Sequence, residues 1–260
     1  MRLKLTLRAD QGNLISYNYH YHLSAAIYKL LQFGSAEFSR FLHDKGYVFN
    51  GKNYKLFTFA LRFEKYTNLE HAIKLDDPKV YLFISSPLVD EFIKNFVIGT
   101  FQSQVIDLTE LNFPIKFNII FVETIPLPKI TENISLKMLT PMVLSTYREH
   151  NGKANKYFLR EDDGCEINRV ITQNMRNKYK AAFNKENEGE LKLTWNEDYI
   201  KKVKRITKKI TINQHGKYPI DIIGLNAPFY LRGDADLIRL GYECGFGEKN
   251  SMGFGMVEVN

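Results

Sequence analysis

The hydrophobic pattern of the first 34 residues changes from a period of two to a period of about 3.6. Leu3, Leu5 and Leu7 alternate with polar residues, which predicts a strand with one apolar face. From Leu23 onward, apolar residues recur three or four positions apart, which predicts an amphipathic helix that ends before Gly34. The chain therefore begins as a strand followed by a helix, which is typical of α+β folds.

The rest of the first half continues this alternation. A second short helix is predicted after Ser35, which caps it and lets it turn Phe38, Phe41 and Leu42 towards the core. The Asn50-Gly51 pair marks the loop that ends this region. The elements predicted next are strands at 54–63 and 79–85, a helix from Ser86 to Gly99, and strands at 100–106 and 115–124. The resulting order β-α-β-β-α-β is the ferredoxin-like pattern.

Two prolines in the segment Ile125-Pro126-Leu127-Pro128 predict a stiff linker between two halves of similar length. The second half is predicted to contain strands at 134–144, 191–195, 218–223 and 252–259, and helices at 166–183 and 235–242. The fold class predicted is α+β, with two tandem ferredoxin-like domains and a glycine-rich loop before the last strand. The N-terminal domain covers 1–124, the linker 125–128 and the C-terminal domain 129–260.

The composition of the chain indicates the class of protein and the compartment in which it works. A quarter of the residues are charged, and no apolar run approaches the roughly 20 residues that a membrane span needs. The N-terminus lacks the continuous apolar stretch of a secretory signal. Cys165 and Cys244 are too few and too isolated for a disulfide framework or a zinc site. These features predict a soluble cytoplasmic protein with no membrane partner and no metal.

Positive charge is concentrated in one stretch of the second half. Six basic residues fall within nine positions: Lys201, Lys202, Lys204, Arg205, Lys208 and Lys209. Such clustering favours a polyanionic partner, because each neutralised phosphate releases condensed counterions. A solvated protein face is the commoner meaning of a charge run. Upstream, five basic residues are predicted to lie on the surface of the helix at 166–183 or just after it: Arg169, Arg176, Lys178, Lys180 and Lys185.

The glycine-rich segment near the C-terminus contains two Gly-Phe-Gly triplets. Its glycines are Gly245, Gly247, Gly253 and Gly255, and Lys249 and Asn250 lie between the triplets. Glycines allow positive φ angles and let a ligand approach the backbone amides, which favours an anion-binding loop. The alternative is a wide turn that feeds the last strand. The segment lacks the Gly-Lys-Ser/Thr of a phosphate loop and the strand-then-helix setting of a dinucleotide fingerprint.

The run from Gly241 to Gly255 strongly resembles the glycine-rich loop of the CRISPR-associated (Cas) family six endoribonucleases of the RAMP superfamily. Weaker likenesses lie near the N-terminus, in Asn18-Tyr19-His20, Phe41-Leu42-His43 and Lys55-Leu56-Phe57-Thr58. The resemblance implies cleavage of CRISPR repeat RNA without a metal or other cofactor, by attack of a ribose 2′-hydroxyl on the adjacent phosphate. The implied products carry a 2′,3′-cyclic phosphate and a 5′-hydroxyl.

Three residues match the family's catalytic positions. Tyr28 lies on the first helix, His43 just after the second and Lys55 before the next strand. A histidine with a pKa near 6.5 suits proton transfer at neutral pH, so we assign His43 as the base. Lys55 is expected to stabilise the extra negative charge on the phosphate. Tyr28 is expected to position the phosphate or to act as the acid. The basic stretch and the glycine-rich segment are expected to bind the RNA.

Several alternatives remain open at this point. His20 and His22 compete with His43, although His20 shares the apolar face of its helix and fits a core residue. Lys52 competes with Lys55 as the active lysine. A related RNA-binding subunit could keep the fold and lose the chemistry, and a phosphate-loop enzyme acting on small nucleotides is a more remote reading. Dimerisation and association with other CRISPR effector subunits are also left open.

Overall fold

A computed structural model describes residues 1–108, 113–150, 152–212 and 218–260 of the protein. The elements of its N-terminal half are β1 (Arg2–Gln11), β2 (Leu14–Ser16), α1 (His20–Gly34), α2 (Ala36–Asp44), β3 (Tyr47–Phe49), β4 (Lys52–Tyr54), β5 (Thr58–Phe63), β6 (Tyr66–Asn68), β7 (Ala72–Leu75), β8 (Lys79–Ser85), α3 (Lys94–Ser103), β9 (Val105–Asp107) and β10 (Lys116–Ile125). A π-helical turn at Val89–Ile93 leads into α3.

The N-terminal sheet has the strand order of a ferredoxin-like fold. Strands β5, β8, β1, β10 and β9 lie side by side in that order, and every neighbouring pair is antiparallel. Strands β1, β5, β8 and β10, together with α1 and α3, supply the β-α-β-β-α-β order, and β9 is an added edge strand. The apolar alternation of β1 places Leu3, Leu5 and Leu7 in the core, all almost fully buried.

The C-terminal half repeats this arrangement. Its elements are β11 (Asn133–Met138), β12 (Ser145–His150), β13 (Lys153–Phe158), α4 (Gly164–Phe183), β14 (Leu191–Trp195), α5 (Glu197–Lys202), β15 (Thr207–Ile212), β16 (Ile220–Leu225), β17 (Phe229–Gly233), α6 (Ala235–Cys244) and β18 (Val257–Val259). Strands β14, β17, β11 and β18 form a sheet in that order, again ferredoxin-like, with α4 and α6 as its helices. The predicted fold class is confirmed. Among the described helices, none is long and apolar enough to cross a membrane.

The third strand of the C-terminal sheet was placed wrongly from sequence. The segment predicted at 218–223 overlaps β16, which pairs with β15 in a hairpin outside this sheet. The sheet strand is β17, where Phe229 and Leu231 are buried while Tyr230 and Arg232 are exposed. This alternation is short and follows Pro228 directly, so the preceding apolar run at Ile220–Leu225 gave the stronger strand signal.

Gly99 does not end a helix, contrary to the sequence prediction. Helix α3 runs through it to Ser103, and the predicted strand at 100–106 is reduced to β9. A Cβ atom on Gly99 would lie 1.9 Å from the backbone oxygen of Leu30. This glycine therefore allows α3 to pack closely on α1, a role that sequence periodicity does not distinguish from a helix terminus.

Other boundaries also differ from the predictions. The segment predicted as one strand at 54–63 is divided, because Leu56 has a φ of 52° and separates β4 from β5. The strand predicted at 134–144 stops at Met138, and the last strand is limited to Val257–Val259. Phe41 is 37% exposed on α2 instead of pointing into the core. The Asn50-Gly51 turn, with φ positive at both residues, closes the hairpin of β3 and β4.

The segment that follows β4 links the two hydrophobic cores. Leu56 packs into the C-terminal core, whereas the next residue, Phe57, is fully buried in the N-terminal core. At the same end of the first sheet, the buried Arg2 guanidinium donates to the hydroxyl (3.0 Å) and the carbonyl (2.9 Å) of Tyr242 and lies over its ring. These contacts join the halves beside the glycine-rich segment.

Candidate active site

The glycine loop, defined here as residues 245–255, is folded back on itself between the two halves. The amide of Phe246 donates to the carbonyl of Gly255 at 2.9 Å, and the amide of Glu248 donates to the carbonyl of Val143 at 2.7 Å. Gly255 has a φ of 74°, and a Cβ atom there would lie 2.0 Å from the Phe246 oxygen. Several amides predicted to face an anion are therefore used to fold the loop.

A buried lysine on α4 holds the loop from inside. Lys178 was predicted on the surface, but it is 3% exposed. Its ammonium donates to the carbonyls of Gly245 (2.6 Å) and Gly247 (2.8 Å) and to the side-chain oxygen of Asn250 (2.7 Å). Burial lowers the pKa of Lys178 to about 8. The Lys178 ammonium therefore supplies hydrogen bonds to loop carbonyls that accept none from the backbone of the strands and helices.

Asn250 completes this internal network. Its amide nitrogen donates to the carbonyls of Phe246 (3.0 Å) and Phe254 (2.9 Å), while its oxygen accepts from Lys178. The side chain proposed from sequence as an RNA contact is thus 9% exposed and used inside the loop. Lys249, at the tip, is exposed, and partial desolvation of its ammonium followed by the charge of Lys156 lowers its pKa.

Side chains on one face of α1 contact the outside of the glycine loop. His20, Ser24 and Tyr28 are spaced four residues apart, so they lie on the same side of the helix. The Nδ1 of His20 is 3.0 Å from the Met252 carbonyl, and the Ser24 hydroxyl donates to the Ser251 carbonyl at 2.7 Å. On the other side, the loop is held by β5, where the hydroxyl of Thr58 donates to a loop carbonyl at 3.0 Å. The N-terminal half thus fixes residues 251–254 of the loop, with Ser251 and Met252 in the same groove as Tyr28.

Tyr28 and Lys55 both contact His43. The rings of Tyr28 and His43 meet edge to face with centroids 5.3 Å apart, and Tyr28 also contacts Phe57. The ammonium of Lys55 donates to the His43 carbonyl at 2.7 Å. His43 lies in the last turn of α2, which Ser35 caps by accepting from the Phe38 amide. The helix pair therefore brings the ring from α2 against the ring from α1.

The exposed ring of His43 is hydrogen-bonded to the carboxylate of Asp44. Its Nδ1 lies 2.8 Å from the carboxylate of Asp44, and both side chains are well exposed. Because a carboxylate only accepts, the Nδ1 atom donates, which leaves Nε2 with a free lone pair in the neutral ring. A histidine with a free Nε2 is suited to take a proton.

Burial shifts the pKa values of Tyr28 and Lys55, the two residues that contact His43. It raises the pKa of Tyr28, and the side chain of Ser251 opposes that rise by hydrogen bonding to the phenol. Tyr28 is therefore a neutral hydrogen-bond donor at neutral pH. Burial lowers the pKa of Lys55, and the charge of Asp44 opposes that effect.

Tyr28 and His43 line a groove of about 620 Å³ between α1, α2 and the glycine loop. Ser251 and Met252 from the loop form one wall of it. Its other lining residues include Lys29, Gln32 and Arg40, which sequence reasoning did not single out. Lys29 follows Tyr28 directly and Arg40 precedes His43 by one helical turn, so their spacing from the candidate residues was a usable signal.

Of the two candidate lysines, Lys55 is the one beside His43. Lys52 lies in β4 and is exposed at the β3–β4 hairpin.

Within the described part of the chain, no group of three or more His, Cys, Asp or Glu side chains is arranged to hold a metal ion.

His20, the rival to His43, is a buried structural residue. Its ring is stacked between Tyr19 and Phe254, at centroid distances of 4.6 and 4.8 Å. Burial lowers its pKa to about 4, which keeps the ring neutral. The interpretation of His20 as a core histidine bonded to backbone fits these contacts. His22 packs edge to face on Tyr21.

The buried His20 is expected to make the protein sensitive to acid. The unfolded chain takes up a proton on this ring near the ordinary pKa of 6.5, whereas the folded protein does so only near 4. The free energy of unfolding should therefore fall as the pH falls through this window, by about 3 kcal/mol in total. Urea denaturation at pH 7 and pH 4.5 tests this. The drop should be smaller by most of that amount in His20→Phe, and an equal drop in both proteins would contradict the assignment.

The basic stretch is exposed but does not form one continuous patch. Lys201 and Lys202 end α5, Lys204 and Arg205 lie in the following loop, and Lys208 and Lys209 lie in β15. Neighbouring residues of a strand point to opposite faces, so the last two lysines face different directions. Lys209 is 3.0 Å from the Asp221 carboxylate, which engages part of its charge.

Comparison with known proteins gives a consistent result over the whole chain. A family model described as CRISPR-associated protein Cas6, N-terminal, matches residues 14–118, and one described as CRISPR associated protein Cas6, C-terminal, matches 125–259. The chain is 34% identical to the CRISPR-associated endoribonuclease Cas6 1 of Methanocaldococcus jannaschii, over 99% of this chain and 92% of the relative. It is 27% identical to the CRISPR-associated endoribonuclease Cas6 of Pyrococcus furiosus, over 96% and 85%.

Comparison with solved structures gives matches to the same family of proteins. A structure described as CRISPR associated protein Cas6 is 31% identical and superposes with a TM-score of 0.76, covering 100% of this chain and 99% of the other. A structure of a Cas6-related gene product from Pyrococcus furiosus shares the fold with a TM-score of 0.82 at 23% identity, covering 100% and 98%.

Proposed function

This chain belongs to the Cas6 family of CRISPR-associated proteins, and on that basis we propose that it is an endoribonuclease that cuts CRISPR repeat RNA. The two relatives named above are both endoribonucleases by name. The observation in this chain that carries the proposal is the contact of His43 with Tyr28 in one groove, with the Lys55 ammonium alongside. Phosphodiester transfer without a metal needs a proton acceptor, a hydrogen-bond donor and a cation, and these three side chains supply them.

In the proposed reaction, the ribose 2′-oxygen attacks the adjacent phosphorus and the bond from phosphorus to the 5′-oxygen breaks. His43 takes the 2′-hydroxyl proton at Nε2, and the departing 5′-oxygen takes a proton from water. The products are then a 2′,3′-cyclic phosphate and a 5′-hydroxyl. No atom changes its oxidation state, so the reaction needs no redox cofactor.

Tyr28 and Lys55 stabilise the crowded phosphate in this scheme. Loss of the Tyr28 proton is costly because burial raises the pKa of its phenol. Of its two expected roles, holding the phosphate by a hydrogen bond is therefore favoured over proton donation. The ammonium of Lys55 has three donors, of which the His43 carbonyl uses one. The remaining donors supply positive charge where the transition state accumulates negative charge.

The same proposal assigns the RNA path. Lys29 and Arg40 line the groove and supply cations for the phosphates next to the cut. Further along the molecule, the exposed basic stretch at 201–209 and Lys249 at the loop tip are proposed to contact the RNA backbone. The glycines of the loop contribute by allowing its close packing against β5 and by bringing Ser251 and Met252 to the groove.

The proposal is tested with end-labelled repeat RNA from the protein's own CRISPR array, incubated in EDTA. We expect one cut per repeat, a downstream fragment that polynucleotide kinase labels without prior phosphatase treatment, and an upstream fragment with a blocked 3′ end. Tight binding of RNA that remains intact would instead identify a non-catalytic RNA-binding subunit. Cleavage that requires added Mg²⁺ would contradict the mechanism.

A further inference from the structure

We propose that Ser251, on the glycine loop, is a positioning residue that orients the hydroxyl of Tyr28 for the reaction. This inference rests on the proposed function and goes beyond it, because it gives the C-terminal half a side chain that acts on the reacting groups. It means that neither half alone contains the complete site.

Ser251 is in the right place for this role. It lines the same groove as Tyr28 and His43, and its side chain lies close enough to the Tyr28 phenol to oppose the rise that burial causes in the phenol's pKa. Its backbone is tied to the same helix, since the Ser24 hydroxyl donates to the Ser251 carbonyl at 2.7 Å. Ser24 precedes Tyr28 by about one turn, so α1 fixes both partners relative to each other.

The loop gives Ser251 a fixed position. The preceding residue, Asn250, makes three hydrogen bonds inside the loop, one of them to the buried Lys178. The following residue, Met252, has its carbonyl 3.0 Å from the His20 ring. A serine whose two neighbours are both anchored loses little further freedom when it orients a partner, which is the requirement for a positioning group.

Packing fixes the ring of Tyr28 but not the direction of its proton. The ring is held edge to face by His43 and Phe57, at 5.3 and 5.8 Å, and neither ring determines the rotation of the O–H bond. When the Ser251 hydroxyl donates to the phenol oxygen, the phenol proton is free to point at the scissile phosphate. The chain of donors then runs from Ser251 through Tyr28 to the phosphate oxygen.

The test is a double-mutant cycle in single-turnover cleavage. Ser251→Ala should lower the rate constant by about tenfold with the RNA dissociation constant unchanged, because it removes one hydrogen bond that acts through Tyr28. In a Tyr28→Phe background, which lacks the hydroxyl, the same replacement should have no further effect. Ser251→Thr, which keeps the hydroxyl, should restore most of the rate. Ser103→Ala, at the end of α3, serves as the matched control.

The outcomes separate this inference from the proposed function. Full activity in Ser251→Ala, or rate losses that simply add in the double variant, would overturn the positioning role while leaving the endoribonuclease intact. A lower melting temperature and weaker RNA binding with an unchanged rate constant would also overturn it, because they indicate a structural role only. A wild-type protein that leaves the repeat RNA intact would contradict the proposed function and this inference together.

Discussion

Replacing His43 with alanine is expected to reduce the rate of repeat-RNA cleavage by about 10²–10⁴-fold. The reason is that His43 is the proton acceptor in the proposed reaction, with its Nδ1 engaged by the Asp44 carboxylate at 2.8 Å and Nε2 left free. The side chain is well exposed at the end of α2, so its removal should leave the fold and the free energy of unfolding almost unchanged. Single-turnover cleavage in EDTA, with the protein in excess over the RNA and RNA binding measured in parallel, gives the result.

His71→Ala is the matched control, because this histidine is also exposed and also has a carboxylate neighbour in sequence, Glu70. It should cleave at the wild-type rate. Cleavage that survives in His43→Ala would remove His43 from the reaction and make His22 the histidine to examine, since His20 is buried and stacked.

Replacing Lys178 with methionine is expected to disrupt the loop that forms one wall of the groove. Methionine keeps much of the length of the side chain but leaves the carbonyls of Gly245 and Gly247 and the side-chain oxygen of Asn250 without their donor. We expect the free energy of unfolding to fall by about 2–4 kcal/mol. We also expect cleavage to slow by about 10–100-fold, because a loop displaced by even an ångström no longer presents Ser251 to Tyr28.

Lys180→Met is the control for this change. It makes the same replacement on the same helix at a partly exposed site, where Lys180 is paired with Glu186 at 3.1 Å. Urea denaturation and single-turnover cleavage should both give near wild-type values for it. If Lys178→Met were as stable and as active as Lys180→Met, the buried lysine would not be the support of the loop.

Much of the fold could be predicted from local patterns. The alternation of β1, the 3.6-residue period of α1 and the Ser35 cap of α2 are all signals carried by neighbouring residues, and the structure confirms each of these elements. The ferredoxin-like order of both halves follows from the succession of such elements. The third C-terminal strand failed because two short apolar segments, Ile220–Leu225 and Phe229–Gly233, competed and only tertiary pairing selects between them.

The residues around the groove were harder to interpret from sequence. Tyr28, His43 and Lys55 were found through the family resemblance, and their catalytic roles remain predictions. Lys178 looked like one of several surface cations on α4, because its hydrogen-bond partners lie 67–72 residues further along the chain. Asn250 looked like an exposed donor at a loop tip for the same reason. Long-range polar contacts leave no periodicity in a sequence, so the internal support of the glycine loop became visible only in three dimensions.

The most direct measurement of the central claim is cleavage of a repeat RNA with a single 2′-deoxyribose immediately before the cut, in EDTA, beside the unmodified RNA. We expect the modified RNA to bind as tightly as the unmodified one and not to be cleaved at that position, because the attacking 2′-hydroxyl is absent. Cleavage of the deoxy substrate at the same phosphate would mean that water or another nucleophile attacks it, and would contradict the mechanism assigned to His43, Tyr28 and Lys55.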